Sequence, residues 1–493
     1  MADSASPQRA YRAACPGCGA PVLFRSAQSS YAVCDYCRST VVRDGEVLKR
    51  LGKMGELFDD HSLLQIGAGG KQDKRPFTVV GRLQYQYPEG RWTEWQLMFD
   101  DGGAGTLSED NGAYVLSEGL SLSREVPAAD AFRVGMNTAL NGKPFSVASI
   151  QEVHLVSAQG ELPKLPPLNH PFQMAELRSP QGEVVSIDYG TSPPQLSLGR
   201  EVSIEGLAMT GLKDESAREE KGRAFDCPNC GASVEPKLDG SKSITCGQCG
   251  SIIDLSRGVG AELSHVEQTE SFSPDIALGK VGQLEGAHWQ VVGFQHRVGH
   301  EPDDPDEQFG WNEYLLYNAK KGFCFLVDST EGWSLVRPVT GAPEYKGGNS
   351  ARYQGRQYSL KYSYEAETTY VQGEFYWQVQ RGQKTSNRDF ASGKEQLARE
   401  ESSREVTWSA GSSIPAASVA KAFGVDDPSK LDAAPLAGKK GVGCGTLIVV
   451  AIIVIILLII LAQCANDNSG SGSSYRSSGS SYGGSSSSSG GHK

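Results

Sequence analysis

No P-loop, no HExxH helix, no GxSxG elbow set between a strand and a helix, and no GxGxxG opening a helix occur in these 493 residues. The sequence basis for a P-loop NTPase, a zincin, a serine hydrolase or a dinucleotide-binding enzyme is therefore missing. The eight histidines are scattered, and the one close pair, His296 and His300, sits beside an acidic, proline-interrupted stretch rather than on a helix. Met1 to Ala14 has no apolar h-region, so no cleavable signal is expected. Positive charge is in deficit. With 47 Lys and Arg against 58 Asp and Glu, the net charge is -11, which opposes nucleic-acid binding by the chain as a whole, because phosphate contacts need clustered cations. Helical signals are few. The best runs from about Pro415 to Phe423, with Pro415 near the first helical position and Ser413 as its cap.

Cysteine, by contrast, is arranged with care. Cys15, Cys18, Cys34 and Cys37 form two CxxC pairs, and Cys227, Cys230, Cys246 and Cys249 repeat the arrangement 212 positions later. A CxxC turn converges two thiolates on one metal, and two such turns close a four-thiolate structural shell, so each set reads as a zinc ribbon. Cys-Pro-x-Cys-Gly-Ala opens both, with glycine where a tight knuckle needs positive φ. Two structural Zn2+ ions are expected. Cys324 reads as a buried strand thiol, and Cys444 and Cys464 bracket an apolar run.

The repeat extends past the cysteines. Ser39 meets Ser251, Gly67 meets Gly279, and Val79-Val80-Gly81 meets Val291-Val292-Gly293 at the same offset. Trp92-Thr-Glu94-Trp95 answers Trp311-Asn-Glu313-Tyr314 after a seven-residue insertion at His300 to Glu307. Gly160-Glu161 pairs with Gly373-Glu374. The period is too long for a solenoid, so the chain is a tandem duplication of ribbon plus domain. Phe77, Val79, Gly81, Leu83, Tyr85 and Tyr87 alternate with Thr78, Val80, Arg82, Gln84 and Gln86, and Asn111-Gly112 and Asn141-Gly142 supply turns. Such patterning predicts antiparallel sheet. The expected class is mainly β, with two four-cysteine ribbons, two β-rich domains and one C-terminal transmembrane helix. The boundaries are 12–45 and 224–256 for the ribbons and 58–210 and 270–423 for the β domains. A linker follows at 424–443, then a span at 445–462 and a Ser/Gly-rich tail at 466–493.

From Leu447 to Leu461 every residue but Ala451 is Leu, Ile or Val, and no charge falls between Lys440 and Asp467. Residues 445–462 would span roughly 27 Å as a helix, close to a bilayer core. Lys439 and Lys440 precede the run, so the positive-inside rule keeps the large N-terminal part in the cytoplasm and the tail outside the inner membrane. Eight thiolates waiting for zinc also suit a reducing compartment.

The motifs from Trp92, from Trp311, at Gly373-Glu374-Phe375-Tyr376-Trp377 and at Glu405-Val406-Thr407-Trp408-Ser409 resemble the bacterial domain-of-unknown-function family numbered 4178. The resemblance implies β-rich domains that follow a zinc ribbon in chains with a membrane segment. It also implies genes lying beside those for membrane-stress proteins and for proteins similar to polyamine aminopropyltransferases. Trp92, Glu94, Trp311, Glu313, Trp377 and Trp408 are the candidate binding residues. No catalytic residue is assigned. The function expected is a membrane-anchored binding or scaffolding protein with a protein partner. One alternative is an enzyme or accessory subunit acting with an aminopropyltransferase-like partner, and another is a ribbon-based nucleic-acid binder. A surplus of four positive charges on Met1 to Lys53 suits the first ribbon to anionic lipid. Protein ranks first, lipid second and nucleic acid third.

Overall fold

A computed structural model describes residues 11–425 and 431, apart from 26–28, 45–46, 56, 58–61, 89, 111–112, 169, 214–223, 239–240, 256–262, 269–271, 302–303 and 320. The run at 445–462 and the tail lie outside the described residues, and among those described no helix is long and apolar enough to cross a membrane. The described residues fall in one unit, Met1–Ala437.

Both repeats are almost wholly antiparallel sheet, and the main strand orders match, while the single strand Asn137–Leu140 of the first is answered in the second by the hairpin of Glu344–Tyr345 with Ser350–Tyr353. In the first, Arg75–Tyr87, Gly90–Phe99, Ala104–Asp110, Ala113–Gly119, Gln195–Val202, Glu183–Asp188, Phe172–Arg178 and Lys143–Leu162 pair in that order. The last then pairs back onto the first. The result is a closed eight-stranded barrel. The second repeat closes the same way when Arg356–Phe375 pairs with Ala287–Glu301. Closure leaves the wall with no free edge. Asn141 and Gly142, at φ 48 and 78, make the tight turn into Lys143–Leu162, as their sequence predicts.

The continuous alternation expected from Phe77 to Tyr87 breaks in the middle. Val79 lies opposite Leu97 but Gly81 lies opposite Gln96, so Val80 is an extra residue. This bulge sends Phe77 and Val79 into one cluster and Leu83 and Tyr85 into another, because slipping by one residue exchanges the faces of a strand. Val291 and Gly293 repeat the bulge. The tripeptide shared by the two copies is thus a corner of the barrel. Its glycine is obligatory: a Cβ on Gly81 would meet the Glu161 carbonyl oxygen at 2.1 Å, and one on Gly293 the Glu374 oxygen at 2.8 Å.

The outer wall of the second barrel is covered by the helix Ala416–Phe423, whose Val419, Ala420 and Phe423 join Trp289, Tyr314 and Trp333 in one core. Burying Phe423 contributes roughly 2–3 kcal/mol. Pro415 is the N-cap rather than the first helical residue, and Ser413 does not cap. The preceding strand runs to Ile414, and the Ser413 N–H donates to the Lys394 carbonyl. The equivalent stretch of repeat one is a non-helical strap that places Leu207 against Trp95 and Leu97. The repeats also touch each other. The Ile150 N–H donates to the Arg404 carbonyl (3.3 Å) and the Ala342 N–H to that of Ser179 (3.1 Å).

Candidate metal centres and barrel carboxylates

Each cysteine set converges. Cys15 and Cys37 Sγ lie 3.7 Å apart, as do Cys18 and Cys34, and all four sulfurs lie within 4.8 Å of one another. Cys227–Cys249 and Cys230–Cys246 repeat these separations. Four thiolates at ~2.3 Å from a central ion stand ~3.8 Å apart in a tetrahedron, so both groups could hold a metal ion. The knuckles explain the convergence. The Cys15 N–H donates to the Ala20 carbonyl and the Gly19 N–H to that of Cys15, and Cys34, Ser39 and Arg38 form the same ladder. The turn closes in the left-handed region at Gly19, Gly231 and Gly250, and at Arg38 with φ 57. Arg38→Gly should therefore stabilise the metal-loaded chain by about 0.5–1 kcal/mol in denaturant titration.

The serine that the repeat carries beside each last cysteine has a role in the shell. Ser39 Oγ lies 3.2 Å from Cys37 Sγ and Ser251 Oγ 3.3 Å from Cys249 Sγ. Each serine hydroxyl and backbone N–H draws its thiol down to about 6, towards the thiolate a metal needs.

The ribbons are joined to the barrels through the sheet. Tyr31–Val33 pairs with the far end of Lys143–Leu162, and Ser243–Thr245 with the end of Arg356–Phe375. Gly160 and Gly373, at φ 75 and 97, mark where the long strand passes from wall to ribbon. Next to it the buried Glu374 carboxylate accepts the Lys237 and Leu238 N–H groups and the Ser241 hydroxyl (2.7 Å). It clamps the loop between the two knuckles.

The WxE motifs put Trp and Glu on one face of a strand, two residues apart. In repeat two the Trp311 Nε1–H donates to Glu313 (2.6 Å) and the Gln295 amide donates to the same carboxylate. Arg297 lies 3.6 Å from Glu313, forks onto Glu400 at 3.1 Å and donates to Thr385 (2.7 Å). Arg297 and Glu400 stand on strands three places apart in the wall. A flat sheet would separate those strands by roughly 14 Å, so the face on which they meet is the inside of the barrel. Burial opposes the Arg297 charge, but Glu400 and Glu313 outweigh it and raise its pKa. Burial lifts Asp389, which accepts from the Tyr364 hydroxyl, to about 6.

Repeat one keeps the carboxylates and changes the cation. Tyr85 replaces Arg297 and stacks on Trp92 (4.8 Å), while Glu94 and Asp188 hold the places of Glu313 and Glu400. Burial raises the Glu94 pKa, against Lys164. Lys164 reaches in from the loop after the long strand to lie 3.7 Å from Asp188.

The six candidate binding residues thus separate. Trp92 with Glu94 and Trp311 with Glu313 line the two interiors. Trp377 packs half-buried on Phe325 and Phe375. Trp408 is buried elsewhere, with Tyr345 and Phe390. Sequence reading missed Arg297, Glu400, Asp188 and Lys164, although the 212 offset also pairs Asp188 with Glu400. Cys324 is a buried strand thiol, pushed up to about 12 by burial.

The family model described as domain of unknown function (DUF4178) matches residues 65–204 and 277–416, one match per barrel and together more than half of the chain. The chain belongs to the DUF4178 family. Among curated proteins none matches it. A crystal structure of a protein of unknown function from the DUF3598 family of Nostoc punctiforme is similar to it at 10% identity. That likeness covers 71% of this chain and 96% of that one, with a TM-score of 0.12.

Proposed function

We propose that this DUF4178 protein is a scaffold anchored in the inner membrane by residues 445–462. Its two barrels face the cytoplasm, each stiffened by a four-thiolate zinc ribbon, and together they present binding surfaces to a protein partner. The observation that carries this reading is how the interiors are occupied. Trp311, Arg297, Glu313 and Glu400 bond to one another across the second barrel. Two surface clefts, of about 340 and 250 Å³, are lined by other residues. A carboxylate serving as acid or base needs reach to a substrate; these are engaged with their own chain. Thiolate-only donors favour zinc among common structural ions.

Reporter fusions test the anchor. A reporter active only in the cytoplasm should work at Met1, and one active only outside should work at Lys493. The reverse pattern would overturn the orientation and, with it, the argument for reduced thiolates. Affinity recovery of the membrane-extracted full chain tests the scaffold. A stoichiometric protein partner is expected, whereas turnover of an added small molecule by the purified chain would favour an enzyme.

A further inference from the structure

We propose that the first ribbon docks on an anionic lipid surface, an inference that rests on the membrane-anchored reading above. Of the seven large hydrophobic residues exposed among the described residues, four lie here: Leu23 (39%), Tyr36 (76%), Val47 (61%) and Leu51 (49%). Each has a cation beside it. Leu23 sits opposite Arg12 in the hairpin of Tyr11–Ala14 with Pro21–Phe24. Tyr36 precedes Arg38 by two residues in the knuckle. Val47 and Lys49 share a face of the edge strand Val47–Lys53, and Leu51 follows Arg50 in it.

The second ribbon is an internal control on the same scaffold. At the 212 offset, Leu23 becomes Glu235, Tyr36 becomes Gln248, Arg12 becomes Ala224 and Arg38 becomes Gly250, while Val47 and Leu51 keep apolar counterparts in Val259 and Leu263. In the ladder His265 takes the place of Arg50. Residues 11–55 carry seven Lys and Arg against three Asp and Glu, a surplus of four, while the matched 223–267 carry four against six, a deficit of two. The metal ligands and the serine beside them are kept, while Leu23, Tyr36 and the surplus of cations belong to the first ribbon alone.

That combination fits a bilayer interface better than other polyanions. Apolar side chains enter the boundary of headgroup and acyl chain while neighbouring cations meet phosphate. A nucleic acid or an acidic protein would use the cations and leave Leu23, Val47 and Leu51 in water. Pairing with a partner's strand is disfavoured too. The edge strand is bulged at Leu51, between the pairs Val41–Arg50 and Thr40–Gly52, and it carries Lys49, Arg50 and Lys53, both of which blunt an edge. The apolar run from Leu447, led by Lys439 and Lys440, brings the same chain to a membrane.

The test uses the full chain reconstituted in vesicles of phosphatidylcholine, alone or mixed with phosphatidylglycerol. Amide exchange over residues 47–53 should slow several-fold only in the mixed vesicles, and added salt should reverse the slowing. The triple variant Lys49→Glu, Arg50→Glu, Lys53→Glu should lose the slowing while keeping its full metal content, which separates lost docking from a lost ribbon. Equal exchange in both vesicle types would overturn the proposal, and so would equal slowing by soluble polyglutamate or duplex DNA. Flotation with phosphatidylcholine vesicles reports the anchor separately. A chain that fails to float there but sediments with the mixed vesicles would sink the anchor and leave the docking face standing.

Discussion

Chelation of the metals is expected to unfold both ribbons and leave both barrels folded. Each ribbon has only a small core, of which its ligands are a part. Cys15 and Cys34 are two of the seven buried members of the first cluster, and Cys227 and Cys246 two of the six in the second. A core that small does not hold a fold without a staple. Apparent binding of about 10–16 kcal/mol per structural zinc is therefore folding free energy for the ribbon. The barrels have their own clusters around Trp95 and Trp289, and their walls close without ribbon strands, although Val33 and Met54 of the first ribbon join Leu83 and Tyr85, and Ile252 of the second joins Leu315 and Val371. Chelator titration followed by amide exchange should show rapid exchange over 11–55 and 224–255, with protection retained in the barrel strands. The ends of the long strands, Glu161–Leu162 and Glu374–Phe375, should fray, because their partners belong to the ribbons, and the barrel interior should loosen where Val33, Met54 and Ile252 are withdrawn. Cys18→Ser and Cys230→Ser should each remove one zinc of two, since the sites are separate. Cooperative loss of the barrels on chelation would show that the ribbons are part of the barrel core.

The ribbons were legible because a metal shell is written locally. Two CxxC turns need only their own knuckles to converge, and the duplication supplied a second copy to check against. The mainly β class was legible through alternation. Closure was not, since the pairing of Lys143–Leu162 with Arg75–Tyr87 joins residues far apart in sequence and leaves no spacing signature. The bulge at Val80 was hidden for a related reason. Every second residue from Phe77 to Tyr87 looks like one face, and only the partner strand reveals that one residue is skipped. Glu94 and Glu313 stood out because their motif repeats. The cation each meets did not, because one repeat places it on a wall strand as Arg297 and the other in a loop as Lys164. The 445–462 span lies outside the described residues, so hydropathy and flanking charge alone carry it.

That difference in cation supply gives the second barrel the larger response to a single change. Arg297→Met should destabilise the full chain by about 3 kcal/mol at neutral pH. Breaking a buried ion pair costs roughly 3–5 kcal/mol because the partner stays charged and unpaired. The low end applies here because the Glu400 side chain is 37% exposed and water screens it in part, although Glu313 is only 14% exposed. The pH dependence has a definite sign. In the native chain Arg297, acting against the effect of burial, holds the Glu400 pKa below its ordinary value. That stabilisation is present above the unfolded carboxylate pKa and is lost as pH falls through the folded one. Without the guanidinium the half-buried Glu400 carboxylate loses what held its pKa down, so the variant regains stability on acidification. The gap between wild type and variant should accordingly be widest near neutrality and narrow towards pH 4. Lys164→Met in the first barrel should cost about 1 kcal/mol or less, since Lys164 is a third exposed and 3.7 Å from Asp188. Denaturant titrations of both variants at several pH values measure all of this. A pH-independent loss for Arg297→Met would mean that the side chain matters through packing against Trp311, where the guanidinium lies 5.5 Å from the ring centre, rather than through its charge. Adding Glu313→Gln and Glu400→Gln to the Met variant should then restore nothing, whereas on the electrostatic account it recovers much of the loss.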